Sequence, residues 1–103
     1  MHPLIREHLP QIVELCRRHR VRRLTLFGSA LRDDFDPSRS DVDLALELEP
    51  RPPAEYGDAY FELLEELESL LGRRVDLVER QAIRNPYLLR AIERSEVPLY
   101  DAA

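Results

Sequence analysis

Three aspartates, a glycine-serine pair and one arginine carry the chemistry this sequence can offer. Asp41 and Asp43 sit two apart in Asp-Val-Asp, Asp76 lies inside a later apolar run, and Gly28-Ser29 closes an earlier one, with Arg32 three residues on. Carboxylates two apart on an extended strand project from one face, their Cα atoms about 6.6 Å apart. Charges that close raise each other's pKa unless a cation lies between them. A hard divalent cation such as Mg²⁺ takes oxygen ligands and is held by one or two carboxylates together with substrate phosphates. If the strand of Asp76 neighbours that of Asp43, three carboxylates can hold two ions roughly 3.5–4 Å apart, as in-line attack at phosphorus requires. Gly28 lets the backbone approach a ligand closely, and the turn after it aims N–H groups and the Ser29 hydroxyl at an anion. The guanidinium of Arg32 reaches the same phosphates. A metal–nucleotide complex satisfies all of these groups at once.

The elements that must position them follow from periodicity. Ile5, Leu9, Ile12, Val13 and Cys16 recur at helical spacing, so residues 4–19 read as one helix, its end complemented by Arg17, Arg18 and Arg20. Residues 22–28 read as a strand, 29–33 as a short helical turn capped by Ser29, and Asp36-Pro37-Ser38 as a turn within a loop. In 41–48 the alternation is strict: Val42, Leu44, Leu46 and Leu48 share one face, Asp41, Asp43, Ala45 and Glu47 the other. A helix over 54–71 buries Phe61, Leu64, Leu67 and Leu71 and stops at Gly72. A strand over 73–79 contains Asp76; Asn85-Pro86 then starts a helix bearing Tyr87, Leu88, Leu89 and Ile92, and the tail is an extended end. The fold class is α/β (α+β), a small mixed sheet flanked by helices. The loop between the first two strands is too short for a helical crossover, so they pair antiparallel. Gly28-Ser29 then lies beside Asp41 and Asp43.

Composition narrows the function further. The 103 residues suggest a single domain spanning 1–103. A net charge of −5 argues against direct nucleic-acid binding by this chain alone, since phosphate neutralisation needs a basic surface. The single cysteine, Cys16, permits no disulfide framework, and no apolar stretch approaches a membrane span, so a cytoplasmic location is expected. All fifteen basic residues are arginine, which removes the P-loop lysine and any Schiff-base chemistry. The three glycines form no G-x-G-x-x-G fingerprint. His2, His8 and His19 read as surface residues, Glu62, Glu65, Glu66 and Glu68 as a solvated helix face, and Tyr56, Tyr60, Tyr87 and Tyr100 as packing residues with polar tips.

Gly28-Ser29, then Ser40-Asp41-Val42-Asp43-Leu44, then Asp76 together resemble the DNA polymerase β-type nucleotidyltransferase superfamily. The small size, "GRRVDLVERQAI" and "IERSEVPLYD" resemble its minimal nucleotidyltransferase (MNT) branch, whose members are often encoded beside a HEPN-domain protein. The resemblance implies the polymerase β-type nucleotidyltransferase fold. It also implies that Asp41, Asp43 and Asp76 are the catalytic and Mg²⁺-binding residues, and that Gly28, Ser29, Arg32 and Ser40 bind the nucleotide. Asp76 would complete the metal site or help deprotonate the attacking hydroxyl. The activity implied is transfer of a nucleoside monophosphate, AMP from ATP, to a hydroxyl of a partner HEPN toxin, with this chain as antitoxin. The alternative is a non-catalytic binding module that neutralises its partner by contact. Homo- or hetero-oligomers are both left open.

Overall fold

Residues 1–31 and 41–102 are described by the computed structural model, Ser29 by its backbone alone. The order is α1 (Pro3–Glu7), α2 (Leu9–Arg18), β1 (Val21–Phe27), a 3₁₀ turn (Gly28–Leu31), β2 (Val42–Leu48), α3 (Pro53–Leu71), β3 (Val75–Glu79), a second 3₁₀ turn (Arg80–Ala82), α4 (Pro86–Ser95) and β4 (Val97–Asp101). The strands form one mixed sheet in the order β3-β2-β1-β4. β1 pairs antiparallel with both β2 and β4, whereas β2 and β3 run parallel. The end of β1 and the starts of β2 and β3 therefore gather at one end of the sheet.

One face of the sheet is apolar because every second residue of its strands is. Leu26, Leu44 and Leu77 form one cross-strand row and Leu24 and Leu46 the next. α2 packs on β1 and β4, α3 packs on β3, and the two helices pack on each other. Ile12, Leu15 and Cys16 from α2, and Leu63, Leu67 and Leu71 from α3, close the core over those rows. Burying each such leucine contributes about 1.5–3 kcal/mol. Cys16 belongs to this core: burial pushes its thiol up to about 12. The thiolate is the reactive form, so Cys16 is a packing residue and no nucleophile.

The expected helix over 4–19 is two helices that meet at His8. Pro10 has no N–H to donate to the carbonyl of Arg6, and its ring crowds that carbonyl. The ring nitrogen of His2 accepts from Leu4 N–H at 3.0 Å, and His8 Nδ1 lies 2.8 Å from the Leu4 carbonyl, so both ends are satisfied by side chains. In α3 Leu67 and Leu71 are buried as expected, but Ala59 and Leu63 complete the stripe, while Leu64 is half-buried and Phe61 is 63% exposed. In α4 only Ile92 is buried, while Tyr87 and Leu88 are exposed. The tail, expected as a short extended end, is extended and pairs as strand β4, because β1 offers it an edge.

Two local signals hold as read. Gly72 ends α3 in the left-handed region at φ 66°, where its N–H reaches the Glu68 carbonyl. The Asn85 side chain accepts from Tyr87 and Leu88 N–H at 2.9 and 3.4 Å, capping α4. We expect Asn85→Ala to cost about 1 kcal/mol. Urea unfolding should show a lower midpoint at unchanged slope. Among the described residues no helix is long and apolar enough to cross a membrane.

Candidate active site

The second face of the sheet carries the polar chemistry. Cross-strand partners point the same way, so the register gives successive rows. Phe27, Asp43 and Asp76 form the row nearest the β1 end, and Thr25, Ala45 and Val78 the next. Asp41 stands two residues before Asp43, on the same side by alternation. Asp43 is half-buried, and Asp41 and Asp76 are exposed.

Gly28 fits against Asp43 so closely that a side chain there has no room. A Cβ on Gly28 would lie 2.2 Å from Asp43 Oδ2 and 3.0 Å from its Cγ. Gly28 also has φ +77°, which L side chains rarely adopt. The bare backbone of the Gly28–Leu31 turn is thus pressed against the carboxylate. The fully buried Ala30 ties the turn to the core, and its carbonyl accepts from His2 N–H at 3.0 Å. Beside the acidic row, the Tyr60 hydroxyl donates to the Leu77 carbonyl at 2.5 Å. Burial first, and then the charges of Asp76 and Glu79, hold that hydroxyl above the ordinary tyrosine range. Tyr60 therefore stays a donor and pins β3 next to Asp76.

β3 and β4 are opposite edges of the sheet, so the chain between them must cross one face. Arg80 donates to Thr25 Oγ1 at 3.3 Å and also binds Glu96, which Arg23 meets at 3.6 Å. Thr25 faces away from α2 and α3, so the crossing runs over the second face. Glu96 and Arg80 are nearly enclosed, at 7% and 11% exposed. The crossing covers the Thr25 side of this face and leaves Asp41 and Asp76 open to solvent.

The structure thus brings Asp43 and Asp76 into register, with Gly28 against Asp43 and Asp41 at the same end. Among the described residues no group of three or more His, Cys, Asp or Glu side chains stands in a metal-holding cluster. Arg32 and Ser40 lie outside the described residues. The members of the Arg23–Glu96–Arg80–Thr25 network are scattered along the chain, and no sequence motif links them. His19 and Glu66, expected as solvated surface residues, are paired. His19 is 8% exposed, and its Nε2 lies 3.2 Å from Glu66, which also meets Arg18 at 3.4 Å. Nor is Glu68 simply solvated: it accepts from Val75 N–H at 3.0 Å.

A strand-turn-strand with glycine against the first in-register aspartate defines a class of nucleotide-handling domain. The family model for the nucleotidyltransferase domain matches residues 9–97. The chain belongs to that family and is an enzyme of the nucleotidyltransferase class. A Methanocaldococcus jannaschii protein, provisionally named a protein adenylyltransferase, is 34% identical over 93 residues, covering 82% of this chain and 91% of its own. Protein adenylyltransferase MntA of Thermococcus cleftensis is 39% identical over 72 residues, covering 70% and 69%. A solved structure provisionally described as a minimal nucleotidyltransferase has a TM-score of 0.67 at 31% identity, covering 91% of each chain. A complex of tri-AMPylated Shewanella oneidensis HEPN toxin with MNT antitoxin gives 0.66 at 22% identity over 94% of this chain and 72% of that one, which shows a shared fold.

Proposed function

We propose that this chain transfers AMP from Mg²⁺-ATP to a hydroxyl of a partner protein. The partner is a HEPN-domain toxin, which the chain silences as its antitoxin in the cytoplasm. The observation that carries this reading is the Asp43 carboxylate pressed against the bare backbone of Gly28, in register with Asp76. The relatives named as protein adenylyltransferases support AMP as the group moved. The AMPylated toxin bound to an MNT antitoxin supports the partner.

The donor set fits a hard cation: Asp41, Asp43 and Asp76 offer oxygen only, at one end of one face. These three residues would hold Mg²⁺, which when bound neutralises the phosphates and the charge that develops at phosphorus. The rest falls to the chain itself. Gly28 allows the turn to approach the triphosphate, with Ser29, Arg32 and Ser40 as further nucleotide contacts. The acceptor oxygen attacks the α-phosphorus, the bond to the bridging oxygen of the β-phosphate breaks, and pyrophosphate leaves. The hydroxyl proton passes to Asp76, exposed beside Asp43. The acceptor hydroxyl belongs to the partner, which presents it to this end of the sheet.

A second reading, neutralisation by contact alone, draws on the absence of a compact three-carboxylate cluster among the described residues. One experiment separates the two. The chain, Mg²⁺-ATP and the protein encoded beside it are mixed, and intact mass is measured. We expect an AMP-sized increment on the partner. A partner silenced while its mass stays unchanged would establish the contact reading.

A further inference from the structure

The parallel pairing of β2 and β3 puts a cation at the mouth of the acidic end. Val42 stands opposite Val75, and its N–H donates to the Arg74 carbonyl at 3.1 Å. That bond belongs to the Val42–Val75 pair, and Asp41 and Arg74 each stand one residue before that pair at the starts of β2 and β3. Val75 is buried on the apolar face, so Arg74 points to the other face, as Asp76 does. Asp41 and Arg74 thus stand outside the row of Asp43 and Asp76.

Arg74 is exposed, and its guanidinium forms no hydrogen bond or ion pair with any described residue. That is unusual for an arginine one row from two carboxylates. An arginine fork has five N–H donors in a geometry that matches two phosphate oxygens at once. With the carboxylates engaged by a divalent cation, the remaining anion at this end is the polyphosphate of the nucleotide. Arg73, its neighbour, has a partner of its own, and its Nε is buried.

We propose that Arg74 is a positioning residue that binds the β- and γ-phosphates of the incoming nucleotide, and the pyrophosphate that leaves. This rests on the reading of the acidic end as a metal–nucleotide site. It goes beyond that reading by assigning the tail of the triphosphate to the start of β3, across the acidic row from the Gly28 turn. The two sides then grip the polyphosphate from opposite edges, and the α-phosphorus is left over Asp43 and Asp76. Specificity for a triphosphate over a monophosphate follows, since AMP has nothing for Arg74 to hold.

The test is calorimetric titration of the whole chain with Mg²⁺ and, separately, a non-hydrolysable ATP analogue, tripolyphosphate and AMP. Arg74→Gln should weaken the ATP analogue and tripolyphosphate about 10-fold, as loss of a charge-assisted hydrogen bond does. It should leave AMP within about twofold, a split that a merely structural role would not produce. Arg74→Lys should recover part of the loss, because it keeps the charge but not the fork. Arg74 is exposed, so both variants should melt with the wild type. Tripolyphosphate binding unchanged in Arg74→Gln would overturn the assignment and leave the nucleotide site standing. Wild-type protein that binds neither the ATP analogue nor tripolyphosphate would overturn the nucleotide site and the Arg74 assignment together.

Discussion

Asp43→Asn abolishes most nucleotide transfer, by on the order of 10²–10³-fold in rate, while fold and partner binding persist. Asparagine matches aspartate in size, so the close contact with Gly28 and the half-buried seat on β2 survive. What disappears is one negative charge. The Mg²⁺ proposed for this end would then be held less tightly, and charge developing at phosphorus less compensated. The measurement is single-turnover transfer to the partner at saturating Mg²⁺-ATP, followed by intact mass. Circular dichroism and co-purification with the partner report fold and binding. Transfer at the wild-type rate in Asp43→Asn would remove Asp43 from the site. Equal silencing of the partner by wild type and variant, with no AMP on the partner in either case, would replace catalysis with neutralisation by contact.

Gly28→Ala produces a loss of similar size for a different reason. The new methyl would stand 2.2 Å from Asp43 Oδ2, so either the turn or the carboxylate must move. Misplacement of a reacting group by about 1 Å costs about 10²-fold in rate. The backbone adds its own cost, because φ +77° strains an alanine by about 1–2 kcal/mol. For a domain of this size that lowers the melting temperature by about 4–8 °C per kcal/mol. Gly28→Ala should therefore lose both stability and activity, where Asp43→Asn loses activity alone. A thermal melt beside the transfer assay distinguishes them. Full activity in Gly28→Ala would mean that the turn adjusts freely and does not hold Asp43.

Much of the site was legible because its parts obey local rules. Strict alternation over 41–48 assigned Asp41 and Asp43 to the face opposite Leu44 and Leu46, and the register sets Asp43 there in a row with Phe27 and Asp76. A short connection implied antiparallel pairing of β1 with β2, which placed Gly28 beside Asp43. Gly72 and Asn85 marked helix ends through left-handed backbone and a side-chain acceptor, both properties of single residues. The single helix expected over 4–19 is divided at His8, because Pro10 cannot complete the backbone ladder there.

Alone, the sequence determined residue types, faces and periods: which carboxylates share a side, which turn can approach them, and which leucines must be covered. Those properties are set within a few residues by backbone geometry and hydrophobic alternation. Only the tertiary structure decided the pairings between distant segments. β3 could have joined either edge of the sheet, and its parallel seat beside β2 is what aligns Asp76 with Asp43. The tail became β4 because β1 had a free edge, and its arrival brought Glu96 to Arg80 and Arg23. His19 met Glu66 because α2 and α3 pack together. Each of these depends on how buried surfaces fit across the chain, and that fit leaves no periodic trace in the sequence.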